Sequence, residues 1–436
     1  MQIKRLGWLA LGLAGAVTLA ACGGGKSGTG GGAPAQTTAT GQAEGTVTFW
    51  DTSDATNEAP SFKQLVAKFE ASHPKIKVNY VTVPFDQAQE KFRTAAQSNS
   101  GAPDVLRSEV AWTPDFASLG YLADLTSAVG DTSDFLPTPL SSNQLDGKVY
   151  GIPQVTDAPA LLYNKAMLTK AGVQPPTTWA ELQTAAAKIK SANPGSDAYY
   201  LNAQGYFLLP FLYSEGGDLL NAAEKKITVS SPDAVRGLQD ALDLVKAGSV
   251  KADATSDAYN NMMTAFKTGK AAMITTGPWE LKNIKSSPLF TDGTNLGIAP
   301  TPAGSSGKRG SPVGGHNYVV YSKSASTAAA VEFITWMDSA ENQAFLAKQL
   351  GLLPTRKSAY DLPDVQANPQ VAAFKEIMAG ATARPWIPEG GGLFAALDAE
   401  YPKAVKNAKD AKAAQNALDA VARTWKSSVV TDYTIG

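Results

Sequence analysis

The feature that most limits what this chain can fold into is a regular change of apolar period along residues 46–106. Residues 46–50, Thr-Val-Thr-Phe-Trp, are β-branched and aromatic and read as a strand. A polar loop over 51–60 leads to a helix start, and Phe62, Leu65, Val66 and Phe69 then recur at helical spacing. That helix should stop near His73-Pro74, because proline disfavours a helical residue before it. Residues 76–83 alternate as a second strand, residues 85–98 read as a second helix, and Asp104-Val-Leu opens a third strand. Strand, helix, strand, helix, strand implies a mostly parallel sheet with helices on its faces. Ligands of such sheets sit beyond the carboxyl ends of the strands.

The same grammar returns after residues 149–153. Helices are expected near 178–191 and 233–247, and a strand at 271–276. Gly- and Pro-rich loops at 300–315 precede a further strand at 316–321, and the last hundred residues read as largely helical. No internal repeat or heptad run interrupts the pattern. A body of about 390 residues exceeds one typical core, which points to two lobes.

The start of the chain reads as targeting rather than fold. Lys4 and Arg5 precede an apolar run over 6–19 that is too short to span a bilayer stably, followed by Leu19-Ala-Ala-Cys22. Cys22 is the only cysteine in 436 residues, so no disulfide can form within the chain. Its place behind the apolar run and before three glycines favours a lipidated mature N-terminus over a buried thiol. Residues 23–45 are Gly, Ser, Thr, Ala and Gln with almost no large apolar side chain, and are expected to form a flexible tether reaching roughly 25 to 30 Å. Gly25-Lys-Ser27 lacks the upstream glycine, the strand and the helix of a phosphate loop.

Composition narrows the chemistry further. The formal charge of −1 becomes −3 without Lys4 and Arg5, which leaves no basic footprint for nucleic acid and makes a neutral ligand the easier match. Only His73 and His316 are present, neither with a partner at metal-ligand spacing, and no G-x-S-x-G elbow occurs. No cofactor is expected. Aromatic residues do recur in polar or Gly/Pro-rich surroundings at strand ends: Trp50, Trp112, Tyr206, Trp279 and Trp386. Pyranose rings offer an apolar C–H face for stacking and a rim of hydroxyls for carboxylate, guanidinium and amide groups. Competing roles stand beside these. Trp50 fits core or ligand equally, Trp336 follows an apolar helical stripe, and Trp179 opens a helix as an anchor. Asp104 could be a turn acceptor, and Arg107 with Glu109 a surface ion pair.

Several segments together resemble a known family. Phe49-Trp-Asp-Thr-Ser-Asp-Ala-Thr-Asn-Glu-Ala-Pro60, Ala102-Pro-Asp-Val-Leu-Arg-Ser-Glu-Val-Ala-Trp112, Tyr150-Gly-Ile-Pro-Gln-Val-Thr-Asp157 with Leu162-Tyr-Asn-Lys165, Phe266-Lys-Thr-Gly-Lys270 with Gly277-Pro-Trp279, and Ala383-Arg-Pro-Trp-Ile-Pro388 are similar to family 1 extracellular solute-binding proteins, in the maltose and maltodextrin branch. The resemblance covers residues 46–430. It implies an α/β fold of the two-lobed periplasmic-binding-protein class (type II), with mixed, mostly parallel sheets and the sugar in a cleft between lobes. The implied division is a signal segment 1–22, a tether 23–45, an N-terminal lobe of 46–155 plus 318–362, and a C-terminal lobe of 156–317 plus 363–436.

The resemblance also implies roles for individual residues. Asp51, Ser53 and Asp54 would come from the first loop, and Asp104, Arg107, Ser108, Glu109 and Trp112 from the second. Asp157 would lie at the first hinge crossing, with Tyr206, Trp279, Gly315, Arg384 and Trp386 closing from the other lobe. Two positions depart from the family pattern: Pro159 in a hinge segment, and Phe394 where enteric maltose receptors carry tryptophan. The expected function is capture of maltose or maltodextrin, without catalysis, and delivery to the permease of an ABC importer. The receptor would be a monomer anchored through lipid on Cys22 at the outer face of the cytoplasmic membrane. Trehalose, or a xylo- or galacto-oligosaccharide, is the competing ligand. A cell-surface glycoside hydrolase using Glu109 and Asp157 is the competing activity.

Overall fold

In a computed structural model, residues 43–436 other than Ser249 are described. Cys22, the signal segment 1–22 and most of the expected tether lie outside the described residues. The first strand begins at Gly45, the last residue of that tether.

Ten strands build two five-stranded sheets: β1 Gly45–Asp51, β2 Ile76–Thr82, β3 Val105–Glu109, β4 Gly151–Asp157, β5 Ala160–Asn164, β6 Asp197–Asn202, β7 Lys251–Asp253, β8 Ala271–Thr276, β9 Leu296–Ala299 and β10 Gly314–Val320. The first sheet has the order β2-β1-β3-β10-β4 and the second β7-β6-β8-β5-β9. β1 pairs in parallel with β2 and β3, and β6 in parallel with β7 and β8. β10 runs antiparallel to both its neighbours, and so does β5. The sheets are therefore mixed, each with two parallel and two antiparallel pairings and four of its five strands pointing one way, and the elements read from apolar period appear within a few residues of their expected places.

Local chemistry explains the ends of these elements. The helix Ala59–Ser72 carries Pro60 in its first turn, where no backbone donor is needed, and buries Ala59, Ser61, Phe62, Leu65, Val66 and Phe69. It stops at His73, before Pro74. The helix Trp179–Ala192 is capped by Thr178, whose hydroxyl accepts the Glu181 amide at 3.0 Å, while the Glu181 carboxylate accepts the Thr177 amide at 2.7 Å.

The chain passes between the sheets at definable places. Only Ala158 and Pro159 separate β4 from β5, and the Pro159 carbonyl accepts the Ser311 hydroxyl at 2.6 Å. Residues 300–313 lead back from β9 to β10. The helix Ala340–Leu350 turns Leu346 and Leu350 toward the core of the first sheet and Ala344 and Ala347 toward a core of the second. The boundaries expected at 155/156 and 317/318 thus fall inside β4 and β10, two adjacent strands of the first sheet. The carboxyl ends of β1, β3 and β4 and the start of β10 share one edge of the first sheet.

Candidate functional site

Three carboxylates stand on that edge: Asp51, Glu109 and Asp157 are the last residues of β1, β3 and β4. Asp51 is buried and accepts the Ser53 amide at 3.0 Å, the Ser53 hydroxyl and the Tyr80 hydroxyl. Ser53 is thereby committed to shaping the loop. Glu109 accepts the Ala111 amide at 2.8 Å and pairs with the Arg384 guanidinium, whose Nε donates to the Val313 carbonyl at 3.0 Å. Arg384 is only 5% exposed, and its guanidinium lies 5.5 Å from the ring centres of Tyr206, Trp386 and Phe394. Such placement favours a cation over aromatic faces.

Asp157 is buried, and none of the described residues donates a hydrogen bond to its carboxylate. Burial, tempered by Arg384 and reinforced by the Glu109 carboxylate, pushes its pKa up to about 7. A methyl added to Gly314 would overlap Asp157 Oδ1 and crowd the Tyr206 hydroxyl. The glycine therefore leaves room at the site where those two groups converge. Tyr206 follows β6, and burial, with Asp157 next, raises its hydroxyl well above the usual range, so it donates and does not ionise. His316 on β10 is opposite Glu109 in the ladder. Burial, together with Arg107 and Arg384, holds its pKa well below 6.5, and neither ring nitrogen has a partner.

A second group of buried polar residues stands beside the first. Arg107 is buried, donates from Nε to Gln154 Oε1 at 2.9 Å and lies 5.1 Å over the Phe62 ring. Beside it Glu58 is buried with Oε1 unpartnered, and desolvation raises its pKa to about 7 despite Arg107. Glu280, also raised by burial, accepts Tyr259 at 2.7 Å and Asn283 at 2.7 Å. Trp279 follows β8, donates from Nε1 to the Tyr259 hydroxyl at 2.7 Å and packs against the core of the first sheet. Its carbonyl accepts the Asn57 side-chain amide at 3.0 Å, so the two halves are hydrogen-bonded here.

The structure brings together Asp51, Arg107, Glu109, Asp157, Tyr206, Trp279, Arg384 and Trp386, and leaves other expected residues aside. Asp104 precedes the opposite end of β3, roughly 16 Å from Glu109 at the usual rise per residue. There its carboxylate accepts the Thr48 amide at 2.8 Å and the Ser324 hydroxyl at 2.5 Å. Ser108, one residue from Glu109, projects to the other face of the sheet, where its hydroxyl accepts from Thr113 at 3.3 Å. Asp54 is exposed and caps a turn by accepting the Thr56 amide at 3.0 Å and the Asn57 amide at 2.6 Å. Gly315 has φ of 135°, and a side chain there would strike the Val155 carbonyl, so its need is backbone approach to β4. Trp112 is 7% exposed under the ring of Phe85. Trp50 packs against the same core, Trp179 donates to Ser214 at 3.0 Å while stacked on Phe211, and Trp336 packs beside Phe69.

Sequence reasoning missed Glu58 and Glu280 as participants. The available signals were an acid standing directly before the apolar helix at Ala59 and another directly after Gly-Pro-Trp. Among the described residues no group of His, Cys, Asp and Glu has metal-binding geometry, and no helix is long and apolar enough to cross a membrane.

Residues 54–344 match the bacterial extracellular solute-binding protein family. The chain belongs to that family. The GacH receptor of Streptomyces glaucescens, solved unliganded and in complex with acarbose and an acarbose homolog, is 44% identical; the match covers 89% of this chain and 99% of that one, with a TM-score of 0.85. MalE3 of T. maritima, solved with maltose bound, is 26% identical over 88% of this chain and 99% of its own, with a TM-score of 0.78. The galactooligosaccharide-binding protein of Bacillus subtilis is 25% identical over 390 residues, 87% of this chain and 88% of that protein. The two-lobed fold expected from the sequence motifs agrees with these solved relatives.

Proposed function

We propose that this solute-binding protein captures a maltose-type oligosaccharide and delivers it to the permease of an ABC importer, without catalysis or cofactor, as a monomer held at the membrane by lipid on Cys22. The observation that carries the reading is the pairing of Glu109 with Arg384 inside a ring of Tyr206, Trp386 and Phe394. Aromatic faces suit pyranose C–H surfaces, and the carboxylate, guanidinium and phenol suit hydroxyls. Asp157 and His316 offer further partners, because both are buried with unused hydrogen-bonding capacity. The likeness to the maltose-bound T. maritima protein supports the same ligand class.

A second reading, an acarbose-type ligand, is favoured by the 44% identity to the GacH receptor. Calorimetry against maltose, maltotriose, acarbose, trehalose and glucose separates the two. Maltose or maltotriose binding is the expected result, and binding of acarbose alone would replace the first reading with the second. A glycoside hydrolase has less support, because Glu109 is held by Arg384 and the Ala111 amide and is a poor candidate for an independent nucleophile. Glucose released from maltotriose by the purified protein would overturn the receptor reading.

A further inference from the structure

Phe85 is the one aromatic among the exposed large hydrophobic residues described, at 49% exposed, and the expected function gave it no task. It is the first residue of the helix Phe85–Ser98, directly after Pro84, whose ring restricts the backbone leading into that helix. The Phe85 ring stacks on Trp112 with centres 5.1 Å apart and planes 29° apart. Its edge meets His316 at 5.9 Å and 73°. Single exposed apolar side chains are common on protein surfaces and require no role. This one is different because it is the outer layer of a continuous wall: Phe85 covers Trp112, meets His316, and His316 stands opposite Glu109 in the ladder.

Beyond Glu109 the wall continues through Arg384 to Tyr206, Trp386 and Phe394. Two aromatic groups therefore flank one buried ion pair. A sugar unit reaching Arg384 lies among the inner rings. The next units of a longer chain, running outward along the wall, meet Phe85, whose exposed ring is free for stacking. Trp112 beneath it fixes the ring without competing for the ligand, since only 7% of Trp112 is exposed.

We propose that Phe85 is a stacking platform for an outer unit of the bound oligosaccharide and sets the preference for chains longer than a disaccharide. This rests on the sugar-receptor reading above. Calorimetry with maltose, maltotriose and maltotetraose on the wild type and on Phe85→Ala, Phe85→Leu and Phe85→Tyr tests it. Phe85→Ala should weaken maltotetraose by about tenfold, as expected for losing half of a ring's burial, and leave maltose within about twofold. Phe85→Tyr should restore the length preference. Phe85→Leu keeps apolar cover over Trp112 without a stacking face, so it should bind like Phe85→Ala while melting like the wild type. Equal losses for all three sugars, or none for maltotetraose, would overturn the platform while the receptor reading stands. Wild-type protein that binds none of the three would overturn the maltose-type reading and the platform with it.

Discussion

The substitution Asp157→Asn should change stability in a pH-dependent way whose sign the structure fixes. With a folded pKa near 7, against an ordinary 3.8, Asp157 keeps its proton in the native state across an interval in which the unfolded chain has released it. Unfolding there releases a proton, so the aspartate contributes a penalty that is absent below about pH 4, grows between pH 4 and 7, and is constant above. At pH 5 the protonated side chain closely resembles asparagine, and at pH 8 the wild type holds a buried charge that no hydrogen bond satisfies. From pH 5 to the folded pKa is about two units, and at about 1.4 kcal/mol per unit the variant should gain on the wild type by about 3 kcal/mol between pH 5 and pH 8. Glu58, raised to about 7 by burial, also titrates in this range, but it does so in both proteins and largely cancels in the difference. Urea midpoints of the unliganded proteins at pH 5, 6, 7 and 8, with unchanged slopes, give the quantity directly. A difference that stays constant with pH, or that moves in favour of the wild type, would refute the placement of Asp157 in an undonated, desolvated pocket. A bound hydroxyl donating to Asp157 would favour its ionised form, so the same variant should lose sugar affinity even where it gains stability.

Trp279→Ala should lower both melting temperature and sugar affinity, with about 2 kcal/mol lost from each. The ring packs on the core of the first sheet and bonds Tyr259 besides bordering the cleft, and affinity unchanged by calorimetry would remove it from the site. Asp104→Asn should cost about 1 to 2 kcal/mol in urea unfolding by weakening the bonds from Thr48 and Ser324, with the sugar Kd within about twofold of wild type; a large loss of affinity would return Asp104 to the ligand. Cys22→Ala should abolish acyl labelling and release the protein from membranes, since stable anchoring takes more than one chain; wild-type protein found free and unlabelled would refute the anchor.

What could be read from the sequence divides along physical lines. The strands and helices read over residues 46–106 carry their own apolar period, so their existence needed no partner: Phe62, Leu65, Val66 and Phe69 name one helix face by themselves, and all four are buried. The resemblance to the family pointed to Asp51, Glu109 and Asp157, and all three stand on one edge, at the carboxyl ends of their strands. Asp104 and Ser108 lie in the same short segment as Glu109, yet one is at the far end of the strand and the other on its opposite face. Both distinctions depend on where a strand begins and on its parity. A one-residue error in either moves a side chain to the wrong face.

Glu58, His316 and Phe85 were hidden for a different reason. Each owes its state to chain that is distant in sequence: Glu58 is near Glu280, His316 near Arg384, and Phe85 against both Trp112 and His316. Nothing local distinguishes such a carboxylate from a solvated one, because desolvation belongs to the surroundings and not to the residue. The cleft therefore gathers five buried or nearly buried carboxylates, Asp51, Glu58, Glu109, Asp157 and Glu280, around two guanidiniums, Arg107 and Arg384. Net charge spread over the whole chain, close to zero, could not reveal that local excess. The raised pKa values of Glu58 and Asp157 follow first from desolvation and then from these neighbouring acids, since protonation is the least costly way to keep unpaired carboxylates buried. A ligand rich in hydroxyl donors relieves the same excess without a counter-ion, which is why a neutral sugar suits a site built from so many acids.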